Sequence, residues 1–329
     1  MRKKGLKDVK QRNRQMIVNA VMEHTSLSRV EIAQKTELAP STVSTLVTEL
    51  LGEGVLVEAG SVVTAGRSRT ELTVNPKYGS LAVVEIGRRE TCVTWFDMLL
   101  RPIGTDVLSR RYVSGNALLS LITKHIRAME QEHPPLMGMG LLFQEDMRES
   151  DFRVMYSTGV SSASITLKEA LITQYRIPIE EEYSVSYTVT HALAEEVDLD
   201  AKNSAHISVG SRVLARVRVN GMDIPLSNDF CEELADATEQ QVGWRMDQKA
   251  LMAYLSRLIA ILCMLFPLET VFLSGKFLPD GQIEAQLNEG ICRILKRGNI
   301  PGLKILRPLS RENGSAAMAA QVRKRVLVV

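Results

Sequence analysis

The chain has 329 residues, too many for one small domain, and its 45% hydrophobic and 24% charged residues are those of a globular protein that buries real cores. A net charge of +2 excludes a polycation, and the four cysteines (92, 231, 263, 292) form no C-x-x-C pair, which argues against a disulfide framework and a compact cysteine zinc site. The charged N-terminus has no apolar signal core, and the most apolar stretch, Leu258 to Leu268, is shorter than the ~20 residues that span a bilayer, so a cytoplasmic protein with reduced thiols and no membrane segment is expected.

Residues 1–12 read as a basic arm. Across 1–14, Arg2, Lys3, Lys4, Lys7, Lys10, Arg12 and Arg14 stand against one acid, Asp8, a local charge of +6 that attracts phosphate. Asn13 to His24 then reads as a helix with Ile17, Ala20, Val21 and His24 on one face. Leu27 to Leu51 is the organising stretch of the N-terminal region. Leu27 and Ile32 take the staple positions around an N-cap at Ser28, and Ser28 with Glu31 has capping-box spacing. That helix fades by Thr36, Glu37-Leu38-Ala39 is a turn, and Pro40 fits the first turn of a second helix. Val43, Leu46, Val47, Leu50 and Leu51 recur at helical spacing and make one face core. The opposite N-terminal face shows Ser41, Thr42, Ser44 and Thr45, small hydroxyl side chains on a rigid support that suit a groove floor and its phosphates.

Gly52 and Gly54 end the second helix, Val55 to Glu58 reads as a strand, Gly60-Ser61 and Gly66 mark a loop, and Thr70 to Val74 alternates as a returning strand. Three helices and then a β-hairpin make a winged helix-turn-helix. No Phe, Tyr or Trp precedes Tyr78, which argues against single-stranded nucleic acid and for groove and phosphate binding to a duplex. In the loop from Thr64 to Arg69, Arg67 and Arg69 suit a narrow minor groove, and equally a solvated hairpin tip. The segments Leu27-Ser28-Arg29-Val30-Glu31-Ile32-Ala33, Ser41-Thr42-Val43-Ser44, Gly54-Val55-Leu56-Val57-Glu58 and Gly66-Arg67-Ser68 resemble the N-terminal domain of ROK-family repressors, of the xylose and N-acetylglucosamine repressor type. The resemblance runs over residues 12–76, with Ser68 standing where the family more often has Pro.

From Pro76 onward the periodicity is α/β. Strands are expected at Leu81–Ile86, Thr91–Phe96 and, after a turn at Asp97–Pro102, a third; then at Met137–Phe143, Ile177–Ile179, Ala205–Val209, Val213–Val219, Thr270–Ser274 and Leu303–Leu306, with Asn220-Gly221 as a turn. Helices are expected at Ala117–Glu132, Leu167–Tyr175, His191–Glu196, Gln248–Phe266, Gly281–Arg297 and Gly314–Lys324. This order resembles the ROK sugar-kinase domain, an actin-like fold of two α/β lobes.

That resemblance also says where kinase chemistry would sit. The family's first phosphate turn is glycine-rich, whereas Glu85-Ile86-Gly87-Arg88-Arg89-Glu90 keeps one glycine beside two bulky arginines. The general base would be an Asp eight residues before a Glu, and counting back from Glu195 or Glu196 gives Tyr187 (after Ser186) or Thr188, neither a carboxylate. The second phosphate turn, Gly210 to Leu214, again keeps one glycine. Glu233 matches the family's sugar-contacting Glu, but Asp236 stands where a His belongs, and the cysteine-rich zinc loop is absent.

The reading is therefore a winged helix-turn-helix with a basic arm over residues 1–76, then a two-lobed, actin-like ROK domain over 77–329 that has lost its kinase and zinc motifs. The resemblance implies a sequence-specific repressor of carbohydrate-related genes. It would bind a double-stranded operator as a homodimer and answer a sugar or sugar-phosphate effector, with no enzymatic activity, cofactor or metal. Arg29, Ser41, Thr42, Ser44 and Thr45 face the major groove or its phosphates, Arg67 and Arg69 serve the wing, Arg12 and Arg14 serve the backbone, and Glu233 is the one candidate ligand contact. Two alternatives are a ROK-type sugar kinase with an appended DNA-binding domain and a ligand-independent DNA-binding scaffold.

Overall fold

The computed structural model describes residues 6–64, 67–144, 147, 149–157, 162–183, 202–210, 213–224, 226, 230–231, 247–275, 278, 283–296, 303–306 and 314–327. The chain groups into two compact units. One comprises Met1–Leu141, Phe152–Glu181 and Met318–Val329, the other Leu142–Asp151 and Glu182–Ala317.

The first unit opens with α1 (Leu6–His24), β1 (Leu27–Ser28), α2 (Arg29–Thr36), α3 (Pro40–Gly52), β2 (Leu56–Thr64) and β3 (Arg67–Val74). The basic arm is therefore helical from Leu6 and continuous with the first helix. Ile17, Val18, Ala20 and Val21 are its buried face, whereas His24, expected on that face, is exposed, and Val18 fills the core instead. The expected loop at Gly60-Ser61 is strand. Pairing runs through Gly60↔Glu71 to Thr64↔Arg67, and the glycine accommodates a register shift at φ 141°. The two-residue β1 pairs with Leu72 and Glu71, so the wing is a three-stranded sheet in the order β1-β3-β2.

The same unit continues with β4 (Ser80–Ile86), β5 (Thr91–Asp97), β6 (Pro102–Ser109), α4 (Gly115–Met129), β7 (Leu136–Phe143), the hairpin β8 (Val154–Ser157) and β9 (Ser162–Ile165), α5 (Leu167–Tyr175) and β10 (Ile179–Glu182). The sheet order is β10-β7-β4-β5-β6. Its inner strands β4 and β5 are buried along nearly their whole length, which is why they read as continuous apolar runs. The sequence predicts neither β8 nor β9. Gly138 and Gly140 of β7 let the final helix of the chain lie close: a Cβ on Gly140 would come within 2.3 Å of Met318 Cγ, and one on Gly138 within 2.6 Å of Val322.

The second unit is built on β11 (Ser204–Val209), β12 (Val213–Val219), β13 (Met222–Ile224), α6 (Gln248–Leu265), β14 (Thr270–Ser274), α7 (Glu284–Leu295) and β15 (Lys304–Leu306); α8 (Gly314–Val326) closes the chain. Its sheet order is β13-β12-β11-β14-β15. Ala205, Ile207 and Val209 share a core with Leu255, Leu258, Ile259 and Leu262 of α6 and with Leu287 and Ile291 of α7. Among the described residues α6 is the one helix long and apolar enough to cross a membrane, and it spends that apolar surface on this core. The two five-stranded sheets share one topology. Each places three successive antiparallel strands beside two later ones, in the order 3-2-1-4-5, with β11, β14 and β15 parallel. This duplicated α/β plan is the actin-like fold.

Candidate nucleic-acid interface

The α2–α3 pair is set by local chemistry at Ser28. Its Oγ accepts the Glu31 N–H at 3.4 Å, the Glu31 carboxylate accepts the Ser28 N–H at 2.9 Å, and Ser28 Oγ donates to the same carboxylate at 2.6 Å. These bonds hold the Glu31 carboxyl below the usual carboxylate range, the Ser28 hydroxyl contributing most. α2 ends where Glu37 turns left-handed at φ 57°, and Pro40 starts α3 at a position that needs no amide. Val43, Leu46, Val47 and Leu50 then face the core, while Leu51, expected with them, is half-buried. Ser41, Ser44 and Thr45 are exposed and Thr42 is half-exposed. Thr45 donates its hydroxyl proton to the Ser41 carbonyl at 3.0 Å, which leaves its oxygen lone pairs free to accept.

Around this face, Arg29 opens α2 half-buried and Arg12 is exposed on α1. Arg69 is exposed on β3 and contributes positive potential at Glu31; Arg67 begins β3 opposite Thr64, beside the wing tip. Arg14 departs from the expectation. Its side chain is only 14% exposed and its guanidinium is forked onto Glu53, Nη1 to Oε1 at 2.8 Å and Nη2 to Oε2, with Glu49 Oε2 at 3.4 Å. Lys10 Nζ lies 2.8 Å from the other Glu49 oxygen. Arg14 is tied to α3 by ion pairs rather than presented to solvent. Sequence reasoning does not single out Lys10, Glu49 and Glu53 as partners, although it holds one signal: Lys10/Arg14 and Glu49/Glu53 are each spaced i, i+4, one charge sign per helix.

At the kinase-like positions, Gly87–Glu90 forms the tight tip between β4 and β5. The Gly87 N–H donates to the Glu90 carbonyl at 2.9 Å, so that amide closes the turn instead of facing a phosphate. Arg88 and Arg89 are exposed, and Arg88 lies 6.0 Å from the Tyr112 ring centroid. Burial pushes the Glu85 carboxyl upward. Ser186, Tyr187, Thr188, Glu195, Glu196, Glu233 and Asp236 lie outside the described residues. Among the described residues no group of three or more His, Cys, Asp or Glu side chains is placed to hold a metal ion, and the cysteines are free thiols. In the second unit, His206 is buried, its Nε2 2.9 Å from Ser274 Oγ, and burial drives its pKa down to about 3.

No protein-family model matches the chain. It is 25% identical over 209 residues to the xylose repressor of Bacillus subtilis strain 168, covering 60% of this chain and 52% of that protein. It is 23% identical over 228 residues to the transcriptional dual regulator NagC of Escherichia coli K12, covering 64% and 54%. The chain thus spans about half the length of the curated relatives it matches. A crystal structure of a ROK family transcriptional regulator, a homolog of the E. coli MLC protein, superposes over 97% of this chain and 98% of its own at a TM-score of 0.65 and 14% identity, which establishes the shared fold. The chain is similar in sequence to these repressors and shares the fold of a ROK-family regulator. The chain combines a winged helix-turn-helix with the duplicated 3-2-1-4-5 sheets.

Proposed function

We propose that the chain is a sequence-specific, duplex-DNA-binding transcriptional regulator that represses carbohydrate-related genes as a homodimer. The observation that carries this reading is α3: four apolar residues lock its inner face, while its N-terminal outer face is lined with exposed hydroxyls and flanked by a wing carrying Arg69. The names of the relatives, xylose repressor and N-acetylglucosamine repressor, support an operator as partner and a sugar or sugar phosphate as effector. In this reading residues 1–76 read DNA in the cytoplasm, while 77–329 hold the dimer and sense the effector. No sugar phosphorylation is assigned to the chain, because the β4–β5 tip keeps one glycine and uses its amide internally. No cofactor or zinc is assigned either.

The test is Thr42→Glu in a mobility-shift titration on duplexes covering the DNA beside the chain's own gene. A carboxylate about 5 Å from a phosphate costs about 1–3 kcal/mol, a roughly five- to 150-fold loss of affinity. Unchanged affinity in a folded variant would remove α3 as the reader.

A further inference from the structure

The ion pairs between α1 and α3 carry an inference that rests on α3 being the duplex reader. α3 contains no lysine or arginine. Its ionisable residue is Glu49, and Glu53 caps its C-terminus. Both carboxylates sit at the end where the helix dipole is already negative, a position that disfavours them, and both would repel a phosphate backbone. Two cations from α1, one helical turn apart, meet these two acids: Lys10 on Glu49 at 2.8 Å and Arg14 on Glu53 at 2.8 Å, with a second contact from Arg14 to Glu49 at 3.4 Å. The four charges cancel. The titration of the group reflects this geometry: Lys10 first, and Arg14 after it, hold the Glu49 carboxyl low, and Arg14 holds that of Glu53 low. Glu49 and Glu53 are respectively 32% and 50% exposed at the side chain, so these pairs are screened by water and contribute little to stability. Their larger effect is on the field that an approaching polyanion meets.

We propose that Lys10 and Arg14 are positioning residues that neutralise the carboxylates of the reading helix, so that α3 approaches the phosphate backbone without net negative charge. Arg14 in this role contacts Glu53 and Glu49, not DNA.

The experiment uses the full chain and a mixed-sequence duplex of about 40 base pairs, whose non-specific binding is electrostatic, titrated by fluorescence anisotropy between about 50 and 200 mM salt. Arg14→Gln leaves Glu53 without its cation and Glu49 with Lys10 alone, a net charge of −1 for the group, and is expected to weaken binding about three- to tenfold at the low-salt end. Glu49→Gln with Glu53→Gln removes the acids, releases both cations and is expected to tighten binding by a similar factor. The triple variant R14Q/E49Q/E53Q, in which Lys10 is the group's one remaining charge, is expected to bind at least as tightly as the original chain and less tightly than E49Q/E53Q, with differences among all four proteins shrinking as salt screens them. A triple variant as weak as R14Q alone would mean that Arg14 itself holds phosphate and would overturn the proposal. So would an E49Q/E53Q variant that binds no tighter. If R14Q proves unfolded by circular dichroism, E49Q/E53Q decides alone. Thr42→Glu separates the two levels: normal binding by that variant sinks the assignment of α3, whereas its loss together with failed rescue sinks only the charge-masking role.

Discussion

Replacing Ser28 by alanine removes the side chain that caps the start of α2, the first helix of the α2–α3 pair. The substitution deletes the Oγ acceptor of the Glu31 N–H and the 2.6 Å bond from Oγ to the Glu31 carboxylate, while the 2.9 Å bond from the Ser28 backbone N–H survives in principle. Losing a Ser N-cap costs about 1 kcal/mol, within a range of roughly 0.5–2. Applied to local opening of α2, that is about a fivefold rise in amide exchange, since 1.4 kcal/mol is about tenfold. Hydrogen exchange of peptides covering residues 28–36, compared between the full-length chain and Ser28→Ala, reads this directly. The pH dependence has a definite sign. Glu31 is held below its ordinary value in the folded state, so its ionisation stabilises the fold above the unfolded value, and that contribution is lost as pH falls through the folded value. The advantage of serine over alanine is therefore expected at neutral pH and should narrow in acid, modestly, because the carboxylate is largely solvated. Equal exchange in both proteins at neutral pH, or a gap that widens on acidification, would refute the capping argument.

His206 is neutral when folded with a pKa near 3, whereas an exposed histidine takes up a proton near 6.5, so stability is expected to fall as pH drops between those values. Chemical denaturation from pH 7 to 4 should show this loss, and it should be smaller in His206→Gln. Gly140→Ala forces a methyl group against Met318 and is expected to cost about 1–3 kcal/mol, lowering the melting temperature of the full chain by several degrees; an unchanged melting temperature would mean that α8 shifts without cost. Sedimentation of the full chain at micromolar concentration should give a homodimer whose half-sites lie about 10 base pairs apart or a multiple of that; a monomer binding one per site would refute the dimer.

The sequence alone determined the elements whose signals are local. The capping box, the helix-spaced apolar residues of α3, the Asn220-Gly221 turn and the apolar inner strands lie within a few residues of what they specify, so composition and spacing report them. Gly60 reads as a loop in sequence because glycine breaks strands statistically; pairing with Glu71 of β3 makes it a bulge inside the wing instead. The hydroxyl face of α3 is legible, since helical periodicity separates it from the core. The fate of Arg14 is not: its partners Glu49 and Glu53 lie 35 and 39 residues away, and a basic side chain in a basic segment looks like a phosphate contact until the fold brings acids to it. The same holds for Gly138 and Gly140, whose lack of a side chain has meaning only because α8, from the far end of the chain, packs on them. Period and capping are properties of neighbours along the chain, whereas charge cancellation and close helix packing are properties of neighbours in space, and tertiary structure alone decides which residues those are.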